Sequence, residues 1–292
     1  MSFLIGASHG VEIQMNADLF YHEFSESYGS ITSIKDGDFI LKSEMLNRET
    51  NGFFSENATS TSINTFLVKF NQELILVDVG AGGACGHSAG KTLLNLNALG
   101  IDAADINKIF LTHLHVDHVM GLVNSTGEAI FENAVIYAPE SELRIILNPD
   151  DKEAEEIRSY YKNTLGLLRY AFSPYLANNA VKSISVSEGV INGLTVIATP
   201  GHTPGHTSYL FDFGEEKLLV WGDIVHASFV QFQSPDITVL FDANTRTAEE
   251  SRRTIFEKAA SNKWMIAGAH LPFPGIGYIQ FDEEFYTWHA LC

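Results

Sequence analysis

The chain has 292 residues, 45% of them hydrophobic and only 18% charged, with 18 Lys and Arg against 36 Asp and Glu and a formal net charge of −18. That balance argues against a nucleic-acid partner, which needs a basic face, and against a basic membrane-surface helix; the ordinary apolar content argues against disorder. Two cysteines, Cys85 and Cys292, are too few for a disulfide framework or a four-thiolate zinc site. No apolar run is long enough to span a bilayer, and Met1–Phe20 shows neither the basic nor the apolar region of a signal peptide, so a cytoplasmic protein is expected.

Residues 1–30 read as an N-terminal extension. Strand patterns rich in β-branched and aromatic residues follow at Ile31–Ile34, Ile63–Phe70 and Glu73–Val79, the last two joined by a hairpin turn at Asn71-Gln72. A helix is predicted over Lys91–Leu99 and strands over Lys108–Thr112 and Ala134–Ala138. Helical patterns then occupy Glu140–Leu147 and Asp151–Tyr170, and residues 148–179 read as a helical insertion. Strands are predicted at Leu194–Thr199, at Thr207–Phe213 and Lys217–Trp221 with a turn at Gly214–Glu216, and at Lys263–Ala267. Before the last of these lies a helix over Thr247–Ala260, with Thr247 as N-cap and Glu250 completing a capping box. No shift of composition marks a boundary, so residues 1–292 read as one domain of two sheets covered by helices.

The segment Thr112–His118, THLHVDH, ends an apolar strand. In extended backbone His113 and His115 point the same way, two residues apart, while Asp117 and His118 come where a turn can aim them elsewhere. Imidazole and carboxylate together suit zinc and related divalent ions. A second strand ends at Thr199-Pro200-Gly201-His202-Thr203-Pro204-Gly205-His206, whose paired Pro-Gly turns hold a histidine stiffly. His202 is the candidate ligand there. His206 is a ligand, an orienting donor or a turn residue, with the last two favoured. A third strand ends at Trp221-Gly222-Asp223, making Asp223 a candidate bridging carboxylate, and a fourth at Gly268-Ala269-His270. Four strands thus end in metal-ligand residue types, five His and two Asp in all, enough for two metals.

This constellation, with Leu76–Gly80, resembles the metallo-β-lactamase superfamily of dinuclear hydrolases over about Ile31 to Ile279. The resemblance implies an α/β fold, a four-layer αββα sandwich of two mixed sheets with helices outside and metals at one edge. It implies that His113, His115 and His202 hold one metal, that Asp117, His118 and His270 hold the other, and that Asp223 bridges them. Asp117 would also carry a proton to the leaving group, which makes Asp117 and Asp223 the catalytic pair. Asp78 either orients a ligand histidine or is a turn residue. Zinc is the expected metal, though the donor set accepts Mn, Co, Ni or Fe.

Asp223 stands where the commonest zinc β-lactamases carry Cys, and His118 where they lack a ligand. Ile63–Val68, Gly201–Tyr209, Trp221–Phe232 and His270–Gly277 are similar to the methyl parathion hydrolase-like group, near the quorum-quenching lactonases. Two departures from that pattern stand out: Met120 replaces a usual Gly and should narrow the approach, and Tyr278 replaces a usual His. The group implies hydrolysis of a lactone or similar ester by a metal-bridging hydroxide, with phosphotriesterase activity beside it, a small-molecule substrate and a homodimer. Competing readings are an organophosphate hydrolase proper, a β-lactamase or thioester hydrolase, and a non-catalytic metal-binding protein. Phe53, Phe54, Phe229, Phe232, Phe273 and Tyr278 flank the motifs and are candidate substrate contacts. Cys85 reads as a packed loop thiol, and His9, His22, His87 and His289 as ordinary surface or hydrogen-bonded residues.

Overall fold

The computed structural model describes residues 11–24, 29–47, 58–148, 150–186 and 189–291; His9, Phe53, Phe54 and Cys292 lie outside them. Among the described residues the strands form two mixed sheets. The first runs in chain order from β1 (Val11–Asn16), β2 (Leu19–Glu23), β3 (Ser30–Lys42) and β4 (Ala58–Phe70) through β5 (Glu73–Val77), β6 (Lys108–Phe110) and β7 (Val135–Pro139) to β8 (Val181–Ile184). Its pairs are antiparallel as far as β5 and parallel beyond it. The second sheet places β9 (Leu194–Ala198), β10 (Thr207–Asp212), β11 (Lys217–Val220), β12 (Met265–Ala267), β13 (Ile276–Phe281) and β14 (Tyr286–Ala290) side by side, with β11 and β12 parallel.

Strict alternation along the strands builds the layers. Phe66, Val68, Ile75, Val77 and Phe110 face inward and meet Tyr209, Phe211, Leu218, Val220 and Met265 of the other sheet in one buried core. Their neighbours Leu67, Leu76, Ile109 and Ile136 face outward. They are covered by α1 (Thr92–Ala98), by α2 (Val116–Val119) and by α3 (Glu140–Leu147), then, after α4 (Glu155–Tyr160), by α5 (Leu165–Ala177). On the opposite side, beyond the short α6 (Ser228–Gln231), α7 (Thr245–Asn262) packs Ile255 and Phe256 on Leu210, Leu219 and Ile266. This is the αββα order that the sequence implies. Burying each such side chain contributes roughly 1.5–3 kcal/mol.

Several elements differ from their sequence reading. Within residues 1–30, two strands extend the first sheet as a hairpin. β3 continues past Ile34 to Lys42 because a bulge at Lys35–Gly37 absorbs the turn-like KDGD. The long helix predicted over Asp151–Tyr170 is broken: the chain leaves α4 at Tyr161, whose carbonyl takes the N–H groups of Thr164 and Leu165, and restarts as α5. α7 begins earlier than Thr247, because Asn244 is the N-cap and its side chain accepts the Thr247 N–H at 3.0 Å. The Asn71-Gln72 turn forms as read, both residues with positive φ as a type I′ hairpin requires.

Candidate metal centre

Each ligand-type residue sits just past the carboxyl end of a strand: His113, His115, Asp117 and His118 after β6, His202 after β9, Asp223 after β11 and His270 after β12. These ends lie at one edge of the sandwich, so side chains from both sheets converge. His113, His115, His202 and Asp223 offer ligand atoms within 4.8 Å of one another, as do Asp117, His118 and His270. Asp223 joins the two groups, with Oδ2 at 3.1 Å from His202 Nε2 and 3.2 Å from His270 Nε2, and Oδ1 at 3.2 Å from His118 Nε2. Seven side chains assigned to a metal centre from the sequence therefore meet in one place.

The rings are aimed by their outer nitrogens. Thr112 Oγ1 pairs with His113 Nδ1 at 3.0 Å and itself donates to Asp78. Tyr160 holds His115 Nε2 at 2.7 Å, Asp78 holds His118 Nδ1 at 2.9 Å, Asp242 holds His202 Nδ1 at 2.8 Å, and the Ser62 carbonyl holds His270 Nδ1 at 3.0 Å. In every case the other nitrogen turns inward, the arrangement that orients imidazole toward a metal. Three of these inner nitrogens crowd together, His115 Nδ1 lying 2.9 Å from His113 Nε2 and 3.0 Å from His202 Nε2.

Local backbone explains the aim. Asp78 leaves β5 in the left-handed region, φ 58°, which Asp tolerates; its carboxylate thereby reaches Thr112 N–H at 2.8 Å and Thr112 Oγ1 as well as His118. Asp78 thus both turns the chain and holds the His118 ring, which covers the two roles read for it. His206 is no ligand: its Nε2 accepts the Asp223 N–H at 2.9 Å and Nδ1 faces the Thr199 carbonyl at 3.1 Å, which fixes the turn bearing Asp223. Gly222, at φ 60°, makes this approach possible, since a β-carbon there would come within 2.6 Å of His206 Nε2. Asn64 of β4 donates to the Leu271 carbonyl at 2.8 Å and so moors the loop that carries His270.

Electrostatics follow from burial among unlike groups. Burial, then neighbouring histidines, pushes His113 and His115 well below the usual imidazole range. Burial lowers His202 and His270 too, but carboxylates outweigh it: Asp223 and Asp242 carry His202 up to about 9, and Asp223 with Asp117 carries His270 up to about 10. Asp223 resists burial, which favours the neutral acid, because His118, His270 and His113 hold it well below the carboxylate range. Burial, then the positive field of His202, takes His206 down to about 3, in keeping with its acceptor role.

The donor set fits divalent metals. His118 Nε2 and Asp223 Oδ1 are buried without a hydrogen-bond partner among the described residues, a costly state that a cation between them relieves. Imidazole with carboxylate suits zinc and its first-row neighbours.

A cavity of about 270 Å³ opens over Asp117, Asp223 and His270. Phe39, Ile63, Val116 and Phe241 give it apolar walls, and Cys85, Thr164 and His226 border it. Of the aromatic residues expected as walls, those among the described residues do not line it. Phe273 and Tyr278 pack against the intersheet core, Phe229 packs beside Leu41 and Val230, and Phe232 is buried on Trp221 and Phe256. Met120 is buried in the helix-side core, so it does not narrow the approach. His22 is a buried residue edge-on to Phe24, and His87 and His289 are exposed.

Residues 58–270 match the family described as the Metallo-beta-lactamase superfamily. The chain belongs to the metallo-β-lactamase superfamily. Among solved structures, this superfamily member is similar to the hydrolase AbOPH, at 33% identity, a TM-score of 0.86, and coverage of 96% of this chain and 99% of that one. It shares its fold with AidC, a dizinc quorum-quenching lactonase, at 22% identity, a TM-score of 0.77 and 97% coverage of both chains. A probable metal-dependent hydrolase from Staphylococcus aureus has the same fold at 18% identity and a TM-score of 0.68, with 92% of this chain and 100% of that one covered. A comparison with curated proteins returns no match. Among the described residues no helix is long and apolar enough to cross a membrane.

Four residues of the site escaped sequence reading. His226 belongs to a third group of ligand-type atoms with Asp223 and His270, its Nε2 at 3.1 Å from Asp223 Oδ2. Its position in the GDIVH stretch after β11 was the available signal. Asp242, Tyr160 and Glu142 gave none, because each reaches a ligand loop that is distant in sequence, the nearest of them, Leu114, 28 residues from Glu142.

Proposed function

We propose that this chain is a dinuclear metal-dependent hydrolase of lactones or similar esters, with phosphotriester hydrolysis as a secondary activity. The observation that carries the reading is that Asp223 lies 3.1 Å from His202 of one ligand group and 3.2 Å from His118 and His270 of the other, beneath an apolar cavity. His113, His115 and His202 would hold one divalent metal and Asp117, His118 and His270 another, and such ions would supply the Lewis acidity needed to lower the pKa of water and polarise an electrophilic oxygen.

The chain supplies the rest. Asp223 holds the two ligand groups in register. Asp117, partly exposed at the cavity floor, moves a proton to the departing oxygen. Phe39, Ile63 and Phe241 take an apolar acyl or aryl group and shed its water. Among the described residues no lysine or arginine lines the cavity, which favours a neutral substrate over the carboxylate of a β-lactam or an anionic thioester. The net charge of −18 works in the same direction.

The test is kcat/KM for an N-acyl homoserine lactone and for methyl parathion, side by side, on zinc-loaded protein. A lactone preference of orders of magnitude supports the proposal, and the reverse preference makes the chain an organophosphate hydrolase proper. Two bound metals with no turnover of lactones, esters, lactams or phosphotriesters would leave a metal-binding protein without catalysis. The proposal extends to a cytoplasmic homodimer acting on a small molecule, which sedimentation of the metal-loaded protein and fractionation of cells test.

A further inference from the structure

α3 contributes no ligand, yet one of its side chains joins both ligand loops. Glu142 is fully buried. Its Oε2 accepts the Leu114 N–H at 2.9 Å and the Tyr161 hydroxyl at 2.8 Å. Its Oε1 accepts the Gly205 N–H at 2.9 Å and the Thr203 hydroxyl. Leu114 lies between His113 and His115, at the edge of the first sheet, and Thr203 follows His202, at the edge of the second. Gly205 lets α3 come this close, since a β-carbon there would collide with Ser141 and Glu142. A carboxylate buried with four donors and no cation among them costs desolvation that a neutral side chain would not. Two of those donors are backbone N–H groups that only an acceptor can satisfy.

We infer that Glu142 is a positioning residue whose carboxylate sets the distance between the His113–His115 loop and the His202 loop, and so fixes the first metal position independently of the second. The inference rests on the reading of this site as a two-metal centre, not on its substrate. The second position is anchored by other means: Asp78 holds His118, and the Ser62 carbonyl holds His270. Glu142→Gln is the discriminating change. Gln keeps the shape and one acceptor oxygen, but it turns an NH₂ toward either Leu114 N–H or Gly205 N–H. One loop then loses its tether while the other keeps it.

The experiment measures zinc affinity, by competition with a chromophoric chelator, in two backgrounds that each retain one ligand group. In His270→Ala, which keeps His113, His115 and His202, adding Glu142→Gln should weaken the remaining equivalent about tenfold or more, as loss of ligand-orienting contacts typically does. In His115→Ala, which keeps Asp117, His118 and His270, it should change the remaining equivalent less than threefold. Equal losses in both backgrounds, or none in either, would overturn the inference. If Glu142→Gln does not fold, Thr203→Val removes one hydroxyl donor and leaves the carboxylate. It should produce the same one-sided loss in smaller measure, and parent affinity in both backgrounds would count against Glu142. No substrate enters these titrations, so a chain that binds two metals and hydrolyses nothing sinks the proposed function without touching this result.

Discussion

His202 Nδ1 and Asp242 Oδ1 stand 2.8 Å apart in the buried wall of the metal centre, and the second oxygen of Asp242 accepts the Val239 N–H at 3.0 Å. The pair makes His202 a donor on its outer side and turns Nε2 into the centre, 3.1 Å from Asp223 Oδ2. Asp242→Ala leaves the ring free to turn and removes one of the carboxylates that sustain its basicity. Zinc affinity should fall about 10- to 100-fold, measured by chelator competition, and kcat/KM should fall with it. Unchanged affinity would mean that Phe241 and the neighbouring histidines hold the ring without Asp242.

Asp223 faces His113, His118, His202, His226 and His270 at 3.1–3.6 Å. Asp223→Ala keeps the backbone N–H that His206 receives, so the turn survives while the shared carboxylate goes. Metal content should drop at both positions and turnover should disappear with it. Two bound metals by elemental analysis and normal kcat would contradict the bridging role.

The ligands were legible because each follows an apolar strand whose end the sequence marks. Extended backbone sends His113 and His115 one way, and Pro-Gly or Gly turns set His202 and Asp223. What orients them was not legible, since Asp242, Tyr160 and Glu142 reach the site across 28 to 63 residues through contacts that exist only after folding. The cavity wall failed for a related reason. Phe229, Phe232 and Phe273 lie in or beside a short helix or in a turn, where no periodicity marks which way a side chain faces, and Phe273 packs on the intersheet core where Phe39 of β3 reaches the cavity. Turn-rich sequence likewise hid the continuation of β3, because a bulge carries the strand through Asp36 and Gly37.

His22 adds a pH dependence away from the metal centre. Burial lowers its pKa from 6.5, against the opposing pull of Glu216. Below pH 6.5 the unfolded chain takes up a proton at this residue before the folded chain does, so stability falls as the pH drops through that window and is recovered above it. The slope from one such group is at most about 1.4 kcal/mol per pH unit. His22→Phe should flatten the loss of stability between pH 6.5 and 5 in urea titrations of metal-free protein. An identical slope in the variant would assign the acid sensitivity to other groups.

Arg252 ties α7 to the loops that leave Asp223 and lead to Asp242. It is 2% exposed. Its Nε donates to the Ile224 carbonyl at 2.7 Å, and Nη1 donates to the Pro235 and Ile237 carbonyls at 2.6 and 2.9 Å. Burial lowers its pKa to about 10, with Asp242 opposing, so it stays charged at neutral pH. Arg252→Met fits the same space but strands the Ile224 and Pro235 carbonyls, the Ile237 carbonyl keeping the Gln231 amide at 2.9 Å, and hydrogen bonds to a charged donor contribute about 1.5–3 kcal/mol each. The variant should lose about 3 kcal/mol or more in denaturant unfolding of metal-free protein. It should also bind zinc more weakly, because residues 224–242 are no longer held against α7. Lys offers a point charge in place of a planar fork, so Arg252→Lys should recover only part of the loss. Full recovery by Lys would show that charge alone, without the forked geometry, supports the loop.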